Sequence, residues 1–275
     1  MGDCLWLVGG DARCFWAAQQ LRRSGHEVLT FGVPELPDAP LPERFPILVL
    51  PFPSFSGGQV KGAAAIPAEA VLSRCGGGTR VFGGQLGIFR TALEQRGAQA
   101  VDLYDTEPLT TANAVPTAEG ALALAIERSP ITLHGASCLV VGYGRIGKLL
   151  AQRLRALGAM VTVAARKSAD RALAEGFGLL SDVTGVWLHG LSQYDFVFNT
   201  VPALTLDEAQ LRQLPPHCLL VELASPPYGI DRAACERLGL NHVPAAGLPG
   251  KFAPRTAGAL YAQSILALLQ REETP

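Results

Sequence analysis

Residues Ser137 to Gly147 read S-C-L-V-V-G-Y-G-R-I-G. Four apolar residues, Cys138 to Val141, run straight into Gly142, Gly144 and Gly147, and Lys148 to Leu157 has the apolar spacing of a helix. The three glycines therefore sit on a strand–turn–helix junction. Gly142 suits the tight turn, Gly144 lets a pyrophosphate approach the backbone, and Gly147 lets the helix pack closely on the strand. The helix N-terminus adds unpaired N–H groups and the positive end of a dipole. Gly142, Tyr143, Gly144, Arg145, Ile146 and Gly147 are thus the first candidate cofactor-binding residues.

A junction of this kind needs a parallel sheet around it, and the remaining pattern supplies two. Strands are predicted at Leu5–Val8, His26–Phe31, Ile47–Leu50, Arg80–Phe82 and Ala100–Leu103. Helices are predicted at Ala12–Ser24, Pro67–Cys75 and Ile88–Arg96, and loops at Pro34–Pro46 and Ser54–Gly62. Strands alternating with helices imply a doubly wound sheet, here an N-terminal substrate-side domain over residues 1–112. Residues 113–130 read as a linker, a loop and then a helix with Pro116 in its first turn and Pro130 beyond its end.

Residues 131–252 form the dinucleotide-binding domain, with further strands at Met160–Ala164, Asp195–Asn199, Leu219–Leu223 and Asn241–Val243. Leu173–Leu180 reads as a short helix and a weak strand, and Asp231–Leu238 as a helix. Residues 253–275 carry a last helix to about Arg271, with Ala257, Leu260, Ser264 and Leu268 on one face, expected to return to the first domain. The fold class expected is α/β: two doubly wound, Rossmann-like parallel-sheet domains flanking a cleft and linked by helices.

Composition narrows the function. The net charge is -1 and no block of like charge stands out, which argues against nucleic acid or an anionic membrane as partner. No apolar run spans a bilayer, and the N-terminus reads as a first strand rather than a signal peptide. The six cysteines are scattered without a C-x-x-C pair, so free thiols in a reducing cytoplasm are expected, and no metal site.

The choice of nicotinamide cofactor is made after the second strand of the dinucleotide domain. Arg166 stands 19 residues after Gly147, where an acidic residue would hold the ribose 2′-OH of NAD. The sequence has Arg166, Lys167 and Ser168 instead, two cations and a hydroxyl suited to a 2′-phosphate, which points to NADP. Ligands in such sheets lie beyond the carboxyl ends of strands. That places Asn199, Thr200, Val201 and Pro202 along the nicotinamide end, and Ala224 and Ser225 at the next strand end. No histidine occupies a strand's carboxyl end in this domain, so a histidine base is not expected. Arg13, Lys61, Lys251 and Arg255 are the cations of candidate loops, with Lys61 read as a solvated surface charge.

These residues resemble a known family. Gly9-Gly-Asp-Ala-Arg, Asn113-Ala-Val-Pro-Thr-Ala-Glu-Gly-Ala, Leu133-His-Gly, Gly142-Tyr-Gly-Arg-Ile-Gly, Asn199-Thr-Val-Pro-Ala, Glu222-Leu-Ala-Ser and the run from Gly247 to Gly258 are together similar to the A-subunit family of dipicolinate synthase. The similarity runs from Leu5 to about Leu268. Glu222 with Pro227-Tyr228 departs from the family's more usual aspartate and Pro-Gly-Gly run.

The resemblance implies an NADP-dependent oxidoreductase that oxidises dihydrodipicolinate to pyridine-2,6-dicarboxylate during sporulation, beside a second, flavoprotein-like subunit. For such a substrate, Arg13, which follows the Gly9-Gly10 turn after the first strand, is expected on one carboxylate, and Ser225 with Arg255 or Lys251, on other loops, on the second. Two other readings stay open: a D-2-hydroxyacid-type dehydrogenase, and a non-catalytic NADP-binding subunit whose partner does the chemistry. A homo-oligomer is compatible with all three readings.

Overall fold

The computed structural model describes residues 4–272, so residues 1–3 and 273–275, the outer ends of the first and last segments, lie outside the described residues. The chain divides into two compact units, Met1–Asn113 with Ala253–Pro275, and Ala114–Phe252.

The first unit runs β1 (Leu5–Val8), α1 (Ala12–Arg23), β2 (Val28–Phe31), β3 (Ile47–Val49), then three short strands, β4 (Phe55–Ser56), β5 (Gln59–Val60) and β6 (Ile66–Pro67). It continues through α2 (Ala68–Leu72), β7 (Arg80–Gly83), α3 (Ile88–Gln95) and β8 (Gln99–Asp102). The long strands form a parallel sheet in the order β2-β1-β3-β7-β8. Its apolar strands are buried on both faces because side chains alternate. Leu5 and Leu7 enter a core with Cys14, Ala18 and Leu21 of α1, while Trp6 and Val8 enter another with Val71, Leu72 and Leu93.

Helix α4 (Glu107–Arg128) crosses from the first unit into the second. There follow β9 (Ser137–Val141), α5 (Arg145–Ala156), β10 (Met160–Ala164), α6 (Ser168–Gly176), β11 (Leu180–Asp182), β12 (Phe196–Asn199), α7 (Glu208–Leu211), β13 (Leu219–Glu222), α8 (Arg232–Leu238), β14 (Asn241–Pro244) and α9 (Leu248–Phe252). The parallel sheet has the order β11-β10-β9-β12-β13-β14, which is the 3-2-1-4-5-6 order of dinucleotide-binding folds. Cys138, Val140, Phe196 and Phe198 face one core, and Leu139, Val141 and Val197 the other. The last helix, α10 (Pro254–Glu272), belongs to the first unit and packs along α1.

Several expectations are corrected. Residues 113–130 are not a loop followed by a helix: α4 is continuous from Glu107, with Pro116 in its interior. Pro108 takes the first turn, where a missing N–H is harmless. Ala114, Ala118, Ala121 and Ala125 then bury one stripe at helical spacing, which outweighs the hydrogen bond lost at Pro116. The 54–62 loop contains a hairpin, in which Phe55 pairs with Val60 around Gly57 and Gly58. Both glycines have positive φ, +57° and +75°, as a two-residue hairpin turn demands.

The buried face of α10 is Ala257, Gly258, Tyr261, Ala262, Ile265 and Leu269, while Leu260, Ser264 and Leu268 are only half-buried. The cause is Gly258. A Cβ there would stand 2.4 Å from the Arg13 carbonyl oxygen, so α10 meets α1 at its smallest residue rather than at its most apolar stripe.

Candidate functional site

The fingerprint turn is built from the end of β9. Gly142 donates to the Ala164 carbonyl at 2.8 Å and has φ +97°. An added Cβ there would meet Thr200 Oγ1 at 2.4 Å. Gly147 sits in the first turn of α5, where a Cβ would stand 2.1 Å from the Gly142 carbonyl oxygen. The protein's own packing thus accounts for both residues. Gly144 is different. Its φ is -79°, open to any residue, and a Cβ added there would meet nothing within 4 Å. Nothing among the described residues requires glycine at the N-cap of α5.

Arg145 and Ile146 follow in the first helical turn, whose N–H groups have no partner within the helix. Tyr143 is buried in the core, with the Lys148 ammonium 5.6 Å from its ring centre, so it offers a ligand only its backbone. Arg166, Lys167 and Ser168 are exposed just beyond β10. Among the described residues no side chain pairs with Arg166 or Lys167. Arg171 reaches back from α6 and donates to the carbonyls of Ala165 and Arg166, both at 2.9 Å, which fixes this turn and adds a third cation to it.

The loops after β12 and β13 are locked to each other. Glu222 is buried, and its carboxylate accepts from Asn199 Nδ2 at 2.7 Å, Ala224 N at 3.0 Å, Gly229 N at 2.8 Å and Ile230 N at 2.9 Å. The Asn199 side chain is turned inward. That side chain is fully buried and spent on Glu222 and on both backbone groups of Val201. Thr200 likewise donates Oγ1 to the Val141 carbonyl at 2.9 Å. Both residues set the path of Val201 and Pro202 rather than present a side chain. Ser225 is exposed at the tip of the 224–229 loop.

The remaining candidate cations, Lys251 and Arg255, lie on the last two helices. Lys251 is an exposed residue of α9, its ammonium 5.2 Å from the Phe252 ring centre. Arg255 lies in the first turn of α10 in the first unit, with its guanidinium 5.2 Å from the Trp16 ring centre. The close packing of α10 on α1 puts it there.

Arg13 stands in the first turn of α1 and is mostly buried. Its Nε and Nη2 hold the Asp11 carboxylate at 2.8–3.1 Å, and Nη2 also donates to the Phe52 carbonyl at 2.5 Å. Burial disfavours the guanidinium charge, but the Asp11 hydrogen bonds and charge offset this and hold its pKa above the usual range. The same pair holds Asp11 below the usual carboxylate range against the effect of its own burial. Asp11 also caps α1 through the Arg13 N–H. Neither Asp11 nor the clamp made by Glu222 was expected from the sequence. The signals were present, since Asp11 follows Gly9-Gly10 at a helix start and Glu222 ends an apolar strand.

Residues 117–248 match the family model described as D-isomer specific 2-hydroxyacid dehydrogenase, NAD binding domain. The chain is 31% identical to the A subunit of dipicolinate synthase from Bacillus subtilis (strain 168), across 97% of each sequence. The crystal structure of the A subunit of dipicolinate synthase from Bacillus halodurans superposes with a TM-score of 0.86 at 27% identity, covering 98% of each chain. That of the A chain of dipicolinate synthase from Bacillus subtilis gives a TM-score of 0.85 at 28% identity, covering 99% of this chain and 97% of the other.

Proposed function

The chain belongs to the A-subunit family of dipicolinate synthase, and from that membership we propose that it is the NADP-dependent oxidoreductase subunit that converts dihydrodipicolinate to dipicolinate. The observation that carries the redox half of this reading is Gly144, a glycine that only an external ligand explains. The exposed Arg166 and Lys167, held in place by Arg171, favour a 2′-phosphate and hence NADP over NAD. The bound nicotinamide supplies the hydride acceptor, and loss of a hydride and a proton leaves an aromatic ring.

The chain's own residues bind and orient. The first turn of α5 faces the pyrophosphate, and Asn199, Thr200 and Glu222 stiffen the loops at the nicotinamide end. Arg13 offers a fixed cation for a substrate carboxylate through Nη1, which no hydrogen bond among the described residues uses. Aromatisation makes the step downhill, so positioning and charge neutralisation do more than a strong base would. A hydroxyacid dehydrogenase needs a histidine near the transferred hydride. Here His217 pairs with Asp195 before β13 begins, and His134 packs under Gly158 before β9.

The setting that goes with this reading is the cytoplasm of a sporulating cell, beside a second, flavoprotein-like subunit. Among the described residues no helix is long and apolar enough to cross a membrane. The test is to give the purified chain dihydrodipicolinate and NADP, with and without that second protein, and follow both products. NADPH and dipicolinate should appear together in equal amounts. NADP binding with no turnover under either condition would instead make the chain a nucleotide-binding scaffold.

A further inference from the structure

A cavity of about 320 Å³ opens beyond the carboxyl ends of β1, β2 and β3 in the first unit. Its walls come from Gly10 to Arg13, Pro34, Pro51 and Lys61 to Ala63. Glycine, alanine and proline make up most of this lining, so the polar side chains in it are three: Asp11, Arg13 and Lys61. Asp11 and Arg13 neutralise each other through a two-pronged pair. Lys61 is left as the uncompensated charge, and no side chain among the described residues pairs with its ammonium group.

The position of Lys61 is built. Its N–H donates to the Ser54 carbonyl at 2.8 Å, and its carbonyl accepts from Gly10 N at 2.8 Å. The chain at Gly62 lies so close to the first βα turn that a Cβ there would stand 2.6 Å from Gly10 N. On the facing side, a Cβ at Gly9 would meet Val60 Cγ1 at 2.6 Å. The hairpin of β4 and β5 and these glycines therefore hold Lys61 beside the start of α1, at a cavity whose only fixed anion is already paired.

We propose that Lys61 and Arg13 together form the receptor for one carboxylate of the substrate, with Pro34, Pro51 and Ala63 as apolar walls for a flat ring. Lys61 then sets specificity for a ring acid and is not a solvated surface charge. The cavity volume lies at the low end of small-molecule sites, about 300–1,000 Å³, which suits one six-membered ring. This inference rests on the reading of the chain as an oxidoreductase of a ring dicarboxylate, and it is tested by binding as well as by rate.

The experiment titrates the full chain with pyridine-2,6-dicarboxylate by calorimetry, for the wild type, Lys61→Ala and Lys61→Arg, with inorganic phosphate and neutral pyridine as controls. NADP is titrated separately to show that each variant is folded. The wild type should bind the dicarboxylate and not pyridine, more weakly as salt rises. Lys61→Ala should lose about tenfold or more in affinity and raise the KM for dihydrodipicolinate, with kcat much less changed. Lys61→Arg should recover most of that loss, and NADP affinity should stay unchanged in both. If Lys61→Ala binds and turns over like the wild type, the receptor is refuted while the oxidoreductase reading stands. If phosphate competes as well as the dicarboxylate, the site is a general anion site and the ring-acid assignment falls. If the wild type neither binds the dicarboxylate nor oxidises its dihydro form, the functional reading itself fails and takes the receptor with it.

Discussion

An alanine at Gly147 would place its Cβ 2.1 Å from a backbone oxygen, which cannot swing aside as a side-chain tip can. Gly147→Ala should therefore lower stability by about 1–3 kcal/mol or more, the range for overpacking a filled site. A urea midpoint equal to the wild type would show that β9 and α5 are not in close contact. Arg166 makes the opposite kind of prediction, because its exposed side chain pairs with nothing among the described residues. Arg166→Ala should weaken NADP by about 1–3 kcal/mol, the scale of a lost hydrogen bond to a charged group, and leave NAD almost unchanged. Equal losses for the two cofactors would remove the assignment of the 2′-phosphate to this turn. Both residues were legible in the sequence because the spacing from Gly142 onward is short and local. The clamp of Glu222 on Asn199 was not, because it joins residues from two strands whose adjacency depends on the sheet order.

Elements were legible where periodicity alone decides, as in β9, β10, β12 and β13. They were not where packing overrides local preference. Pro116 signals a helix start, yet four buried alanines carry α4 through it. The Gly57-Gly58 pair signals a hairpin, yet its strands are only two residues long and no alternation reveals them. Helix α10 has the extent that its periodicity predicts and a different buried face, since close approach at Gly258 favours small residues over apolar ones. Its packing against α1 is testable at Ile265, which is fully buried in that core. Ile265→Ala should destabilise the chain by about 2–5 kcal/mol, the usual loss for a buried aliphatic truncated to alanine. A change below about 1 kcal/mol would be that of a surface position and would mean that α10 does not lie against α1.

For the whole molecule, the cores of both units predict one chemical behaviour. Cys14, Cys75, Cys138 and Cys218 are buried, and burial pushes each thiol up to about 12, with Cys235 at about 11. Thiolates are the reactive form, so at mildly alkaline pH a disulfide reagent should label Cys4 alone in the native chain and all six cysteines after denaturation. Rapid labelling of several thiols would mean that the cores open readily.

Under the proposed function the two units also divide the ligands: the second holds the dinucleotide and the first receives the dicarboxylate. Calorimetric titration of Gly144→Ala and Arg13→Ala with each ligand in turn tests this most directly. Gly144→Ala should keep its melting temperature and its affinity for pyridine-2,6-dicarboxylate while losing NADP at least about tenfold, because its new methyl fills only open space. Arg13→Ala should bind NADP like the wild type and lose the dicarboxylate by a similar factor, about 1.4 kcal/mol. NADP binding undiminished in Gly144→Ala, or both variants losing the same ligand, would contradict the assignment of the two units.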